Sequence, residues 1–232
     1  MEELPREKKR SRFEFPCKKN LTNKRLFASI GNTKSPCESA SCLQGFFLTS
    51  FCYSLNMNQK CLILIDGSNF YFKLKDLKLH NLLNFDFGKF AKFLARSGRV
   101  TGAKYYIGRV RQDGTSQSDK MLAGQQKLFA NLKSHNYQYI LGYLLKTDGK
   151  YHEKGVDVHI AVDMLVAAYE NLADRIILVS SDTDLEPAIQ KAKQKGKIVE
   201  YVGFSHKPSV AMVRFCSESR LLTKEDILSF IK

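Results

Sequence analysis

From Met57 onward, short apolar runs alternate with longer stretches that carry apolar residues at helical spacing. The runs are CLILI (61–65), AKYYIG (103–108), YQYILGYLL (137–145), RIILVSS (175–181) and KIVEYVGF (197–204), all rich in β-branched and aromatic residues. Helical periods fill 85–98, 119–136, 155–172 and 184–196, and two more helices are predicted from near Pro208 and from Thr223. Gly98, Asn136 and Gly196 fall where helices should stop, and Thr223 with Asp226 has the spacing of a capping box. In 155–172, Val158, Ala161, Val162, Leu165, Val166 and Tyr169 read as the stripe that faces the core. Strands apolar on both faces, each followed by a helix, predict an α/β fold: a three-layer α/β/α sandwich with a mainly parallel central sheet.

Residues 1–56 break this pattern. They hold ten Lys/Arg against five Asp/Glu, two Pro-punctuated polar stretches and no sustained period, so they are expected to form a poorly ordered basic extension, or to lie upstream of a start at Met57. The domain proper is then 57–232. The uncharged stretch from Ser39 to Gln59 is broken by Ser41, Gln44, Ser50, Ser54 and Asn56, which argues against a membrane span or signal segment. Six cysteines with no C-x-x-C pair and no zinc-finger spacing fit reduced thiols and a cytoplasmic location. Lys and Arg exceed Asp and Glu by 37 to 23, and a net charge of +14 favours a polyanionic partner.

The chemistry concentrates where the apolar runs end. Asp66 directly follows CLILI, and RIILVSS is followed by Asp182 and Asp184. In an open parallel sheet, ligands bind in the crevice beyond the carboxyl ends of the strands, where these acids are carried. Asp157 lies in the first turn of a predicted helix, about 100° from its apolar stripe, and is placed to point over the helix start toward the same crevice; Asp163, roughly 240° further round, is not. Clustered carboxylates repel and need a cation, and an all-oxygen set selects Mg²⁺ or Mn²⁺. Such an ion orients a water, lowers its pKa and stabilises charge on a phosphodiester under attack. Taken singly, each acid is equally a helix cap or turn former; the shared geometry is what favours the site. Lys104, Arg109, Arg111, Lys150 and Lys154 either guide phosphates or form a solvated face, and Phe70, Tyr105, Tyr106 and Tyr151 are either stacking groups or core. No dinucleotide fingerprint, P-loop or hydrolase elbow is present, so no nucleotide cofactor is expected.

Three segments in this order, LILIDGSNFYF, KGVDVHIAVDML and ILVSSDTDLEPAI, resemble the NYN domain, in the LabA-like branch of the PIN-like metal-dependent ribonucleases. The resemblance runs from about Lys60 to Arg220 and implies a PIN-like sandwich and Mg²⁺- or Mn²⁺-dependent cleavage of RNA; with the convergent acids and the net charge of +14, an endoribonuclease is the expected activity. It implies Asp66, Asp157, Asp182 and Asp184 as metal-holding and catalytic acids, Asp163 as a secondary one, and Asn69 and Lys154 as matched residues on the substrate side; Ser181 and Arg109 join them there as expectations from their place beside the acids. Ser181 and Leu185 stand where the family often has Gly and Phe. The alternatives are a non-catalytic RNA-binding or regulatory module, and a DNA nuclease or phosphatase using the same carboxylates. Oligomeric state is left open, a homodimer included.

Overall fold

The computed structural model describes residues 59–231 apart from 80–81, 111, 113 and 148–149; within the strands that flank 148–149, the side chains of 144–147 and 150–153 are not described. The predicted extension over 1–56, Arg111 and the side chains of Lys150 and Tyr151 lie outside this set. The described residues belong to one compact unit, Cys52–Lys232.

The strands are β1 (Lys60–Asp66), β2 (Arg99–Gly108), β3 (Gln138–Thr147), β4 (Lys150–Lys154), β5 (Arg175–Val179), β6 (Ile198–Phe204) and β7 (Glu218–Leu222). The helices are α1 (Gly67–Asp76), α2 (Phe87–Ala95), α3 (Ser116–Ser134), α4 (Val156–Tyr169), α5 (Glu186–Gln194), α6 (Val210–Phe215) and α7 (Lys224–Leu228). The sheet order is β4-β3-β2-β1-β5-β6-β7, parallel throughout except for antiparallel β4. The chain steps outward from β1 through β2 to β3, then returns through α4 to the other side of β1. The strand order therefore reverses between β1 and β5, a topological switch point of the kind that opens a crevice at the carboxyl ends.

Alternation along the strands builds two cores. Ile63, Ile65, Ile177 and Val179 pack against α1, α2, α3 and α7 through Phe70, Phe90, Leu132 and Ile227. Leu62, Leu64, Ile176 and Leu178 pack against α4, α5 and α6 through Ile160, Ile189 and Met212. The first core is aromatic: the Phe70 ring lies 5.6–5.9 Å from those of Phe85, Phe90 and Phe204. The three-layer sandwich is thus the observed fold. Among the described residues no helix is long and apolar enough to cross a membrane.

One expectation fails. On α4 the buried face is Val156, Ile160, Met164, Ala167 and Ala168, whereas Val158, Val162, Val166 and Tyr169 of the predicted stripe are exposed. The helix is apolar on nearly every side, so its periodicity fits two stripes, and packing on the sheet selects the one through Ile160 and Met164.

Cys216 is buried on the α6 side, and burial pushes its thiol from its ordinary 9.0 up to about 12, with Lys193 acting weakly the other way. A folded-state pKa above the unfolded one adds stability that is complete below about pH 9 and is lost as pH rises toward 12. Iodoacetamide at about pH 8 is expected to label Cys216 slowly in the folded protein and rapidly in urea, as read by peptide mapping. Equal rates in the two states would contradict the burial.

Candidate active site

Asp66 ends β1 and is also the N-cap of α1, because Gly67 lets the helix begin at once beneath β2. A Cβ on Gly67 would stand 2.4 Å from the Tyr105 ring and 2.6 Å from the Tyr106 carbonyl oxygen. Gly67→Ala is therefore expected to cost about 1–3 kcal/mol by overpacking, measured by urea unfolding; a neutral effect would mean that β2 yields.

Asp66 is buried and bonded through both carboxylate oxygens. Oδ1 accepts from the Asn69 N–H at 3.0 Å, and Oδ2 accepts from the Ser180 hydroxyl at 3.0 Å. Ser180 Oγ in turn accepts from the Asp182 N–H at 3.1 Å, and Asp182 Oδ1 accepts from the Asp184 N–H at 2.9 Å, opening the 3₁₀ turn Thr183–Leu185 ahead of α5. One buried hydroxyl thus ties the end of β1 to the loop after β5. Asp157 reaches the same place from α4, whose N-cap Gly155 has φ +86°, a left-handed turn that suits glycine.

Asp66, Asp157 and Asp182 line one cavity of about 260 Å³, together with Ser68, Asn69, Phe72 and Val156. Each acid sits at the start of a helix or 3₁₀ turn, where the positive end of the backbone dipole offsets part of the repulsion among the carboxylates.

The other sequence-predicted residues are placed elsewhere. Asp184 is exposed and does not line the cavity. The Ser181 hydroxyl pairs with Tyr201 Oη at 3.2 Å, away from the acids. Lys154 is exposed at the end of β4, and Arg109 lines a different cavity of about 790 Å³ formed by α3 and the ends of β2 and β3. Asp163 accepts from Lys104 Nζ at 2.8 Å and from Tyr106 Oη at 2.6 Å, so it is a structural anchor of α4 on β2. Burial, with the Asp163 hydrogen bond behind it, pushes the Tyr106 hydroxyl far above its ordinary pKa. Phe70, Tyr105 and Tyr106 are fully buried core and present no stacking face.

Sequence reasoning missed Ser68, Phe72 and Ser180. Spacing from Asn69 would have pointed to Phe72 once α1 was recognised; nothing local marks Ser180 as the link between two acids 116 positions apart in the chain.

The donors around the cavity are carboxylate, amide and hydroxyl oxygens, which suit a hard divalent cation. Among the described residues no three His, Cys, Asp or Glu side chains close into a ready-made cage. Mg²⁺ does not require one: it keeps several waters and is commonly held by one or two carboxylates. Capping is compatible with this role, because a carboxylate offers about four lone-pair sites, of which the Asn69 N–H and the Ser180 hydroxyl take one on each oxygen of Asp66.

The NYN domain signature matches residues 60–222, which contain every element from β1 to β7. The chain belongs to the NYN domain family. That family places it in the PIN-like nuclease superfamily. A crystal structure of a protein of unknown function from Vibrio parahaemolyticus is similar in fold, with a TM-score of 0.56 and 22% identity over 76% of this chain and 98% of that one. No curated protein matches the chain. Within the NYN domain, all three cavity acids fall inside the matched segment.

Proposed function

We propose that this NYN domain is a metal-dependent endoribonuclease. The observation that supports it is the meeting of Asp66, Asp157 and Asp182, from three separate segments, around one cavity at the switch point of the sheet. Asp66, Asp157 and Asp182 would hold Mg²⁺ or Mn²⁺, with Asn69 and Ser68 beside them. When bound, the ion supplies a Lewis acid and a water of lowered pKa. The chain's own residues do the positioning. Ser180 fixes the Asp66 carboxylate, the Asn69 amide N–H holds its other oxygen, and α4 presents Asp157 from its first turn. The net charge of +14 draws in the phosphate backbone, and Lys154 and Arg109, exposed outside the acid cavity, would guide the strand toward it.

The hydrogen bonds that Asp66 and Asp182 already make as caps favour a second reading, a non-catalytic RNA-binding module on the same fold. One assay separates them: purified protein against labelled RNA and DNA, with Mn²⁺ and with EDTA. Cleavage of RNA that EDTA stops supports the nuclease. Salt-sensitive binding without turnover supports the module, and equal cleavage of DNA widens the substrate class.

A further inference from the structure

Phe72 lies on α1 four residues after Ser68 and three after Asn69, and it lines the acid cavity with them. Its ring is 61% exposed, whereas Phe70 and Leu74 on the opposite side of the helix are fully buried. Tyr105 and Tyr106 are buried, and the exposed Tyr71 and Tyr143 line other cavities, so among the described residues Phe72 is the aromatic wall of the acid cavity. Lys75 follows three residues further along the same side of α1 and is exposed. Asp76, next to it, is engaged by Lys207 at 2.7 Å, so its charge is balanced. The sequence of groups from the cavity outward is therefore acid cluster, aromatic face, cation.

We propose that Phe72 is a stacking platform for an unpaired base next to the phosphate held at the acids. An exposed ring offers a π-face that any base can stack on, and such stacking is tolerant of sequence. Bases inside an A-form duplex already stack on one another and present only edges and backbone, so a duplex cannot use the ring. Lys75 then meets a neighbouring phosphate one step along the strand. The inference rests on the nuclease reading only for where the phosphate sits.

The test is binding of the full chain, with Ca²⁺ in place of Mn²⁺ so that the acids keep a cation but a weaker Lewis acid, and with the strand checked on a gel to be uncut, to a short labelled single strand of RNA, to its duplex, and to the same strand made abasic. Phe72→Ala is expected to weaken binding of the intact strand on the order of tenfold. Phe72→Trp restores it, while the duplex and the abasic strand bind wild type and Phe72→Ala alike. The melting temperature should stay unchanged in both variants because the ring is exposed. Equal affinity of wild type and Phe72→Ala for the intact strand overturns the proposal. Phe72-dependent binding by a protein that never cuts RNA with Mn²⁺ overturns the nuclease reading alone. Failure of wild type to bind single strands overturns the Phe72 proposal, and cleavage of RNA with Mn²⁺ then decides the nuclease reading separately.

Discussion

Replacing Asp66 by asparagine is expected to cut RNA cleavage by at least about a hundredfold while leaving the fold in place. The loss follows from charge: a carboxylate beside a divalent ion contributes several kcal/mol of stabilisation to the reaction, and each 1.36 kcal/mol is roughly tenfold in rate. The retained fold follows from shape, because the asparagine carbonyl still accepts from the Asn69 N–H and asparagine caps helices about as well as aspartate. Asp157→Asn and Asp182→Asn should fall with it, since they line the same cavity. Asp163→Asn is the informative contrast. Its carboxylate is committed to Lys104 and Tyr106, so the change should cost about 1 kcal/mol of stability and alter cleavage no more than a few-fold. Rates with Mn²⁺ beside urea unfolding curves check both halves. Full activity in Asp66→Asn, or loss confined to Asp163→Asn, would move the site off this cavity.

The strands that carry the site were legible because β1 and β5 are buried on both faces, which leaves a run of apolar residues with an acid where the run meets solvent. The helix α1 was not. Its sequence GSNFYFKLKD follows β1 without a break, and Phe70, Tyr71 and Phe72 look like a continuation of an aromatic strand. Only Gly67, Phe70 and Leu74 show the helical face, and seeing them requires knowing that the helix starts directly at its cap. The edge strands were hidden for the opposite reason: KYHEK in β4 and ESRLL in β7 are charged, as edges often are, and carry little apolar signal. On α4 the signal was too strong rather than too weak, and only packing could show which apolar stripe is covered. The pairing of Asp163 with Lys104 and Tyr106, and of Ser180 with Asp66, joins segments far apart in the chain, and no local period reports such contacts.

The same limit hid an ionic cluster at the amino ends of the strands, opposite the acids. Glu200 on β6 is fully buried, with Arg220 at 2.8 Å, Arg175 at 2.8 Å and Arg96 at 3.5 Å. Arg175 also reaches Glu218, and Arg220 donates to the carbonyls of Phe93 and Leu94, so it fastens the end of α2 to the sheet. Burial presses the Arg220 pKa down, and Glu200 opposes that more than any other neighbour. Glu200→Gln keeps the volume and removes the charge, leaving Arg175 and Arg220 without their shared counterion. The expected cost is about 3–5 kcal/mol, or a melting temperature lower by roughly 10 °C. Arg96 is half exposed and its contact is long, so Arg96→Ala should cost less than about 1 kcal/mol. Urea unfolding of the two variants decides: equal, small costs would mean that water reaches the cluster and screens it. Because the cluster lies at the far edge of the sheet, Glu200→Gln protein that remains folded at low temperature should cleave RNA at the wild-type rate, which separates what holds this NYN domain together from what its cavity does.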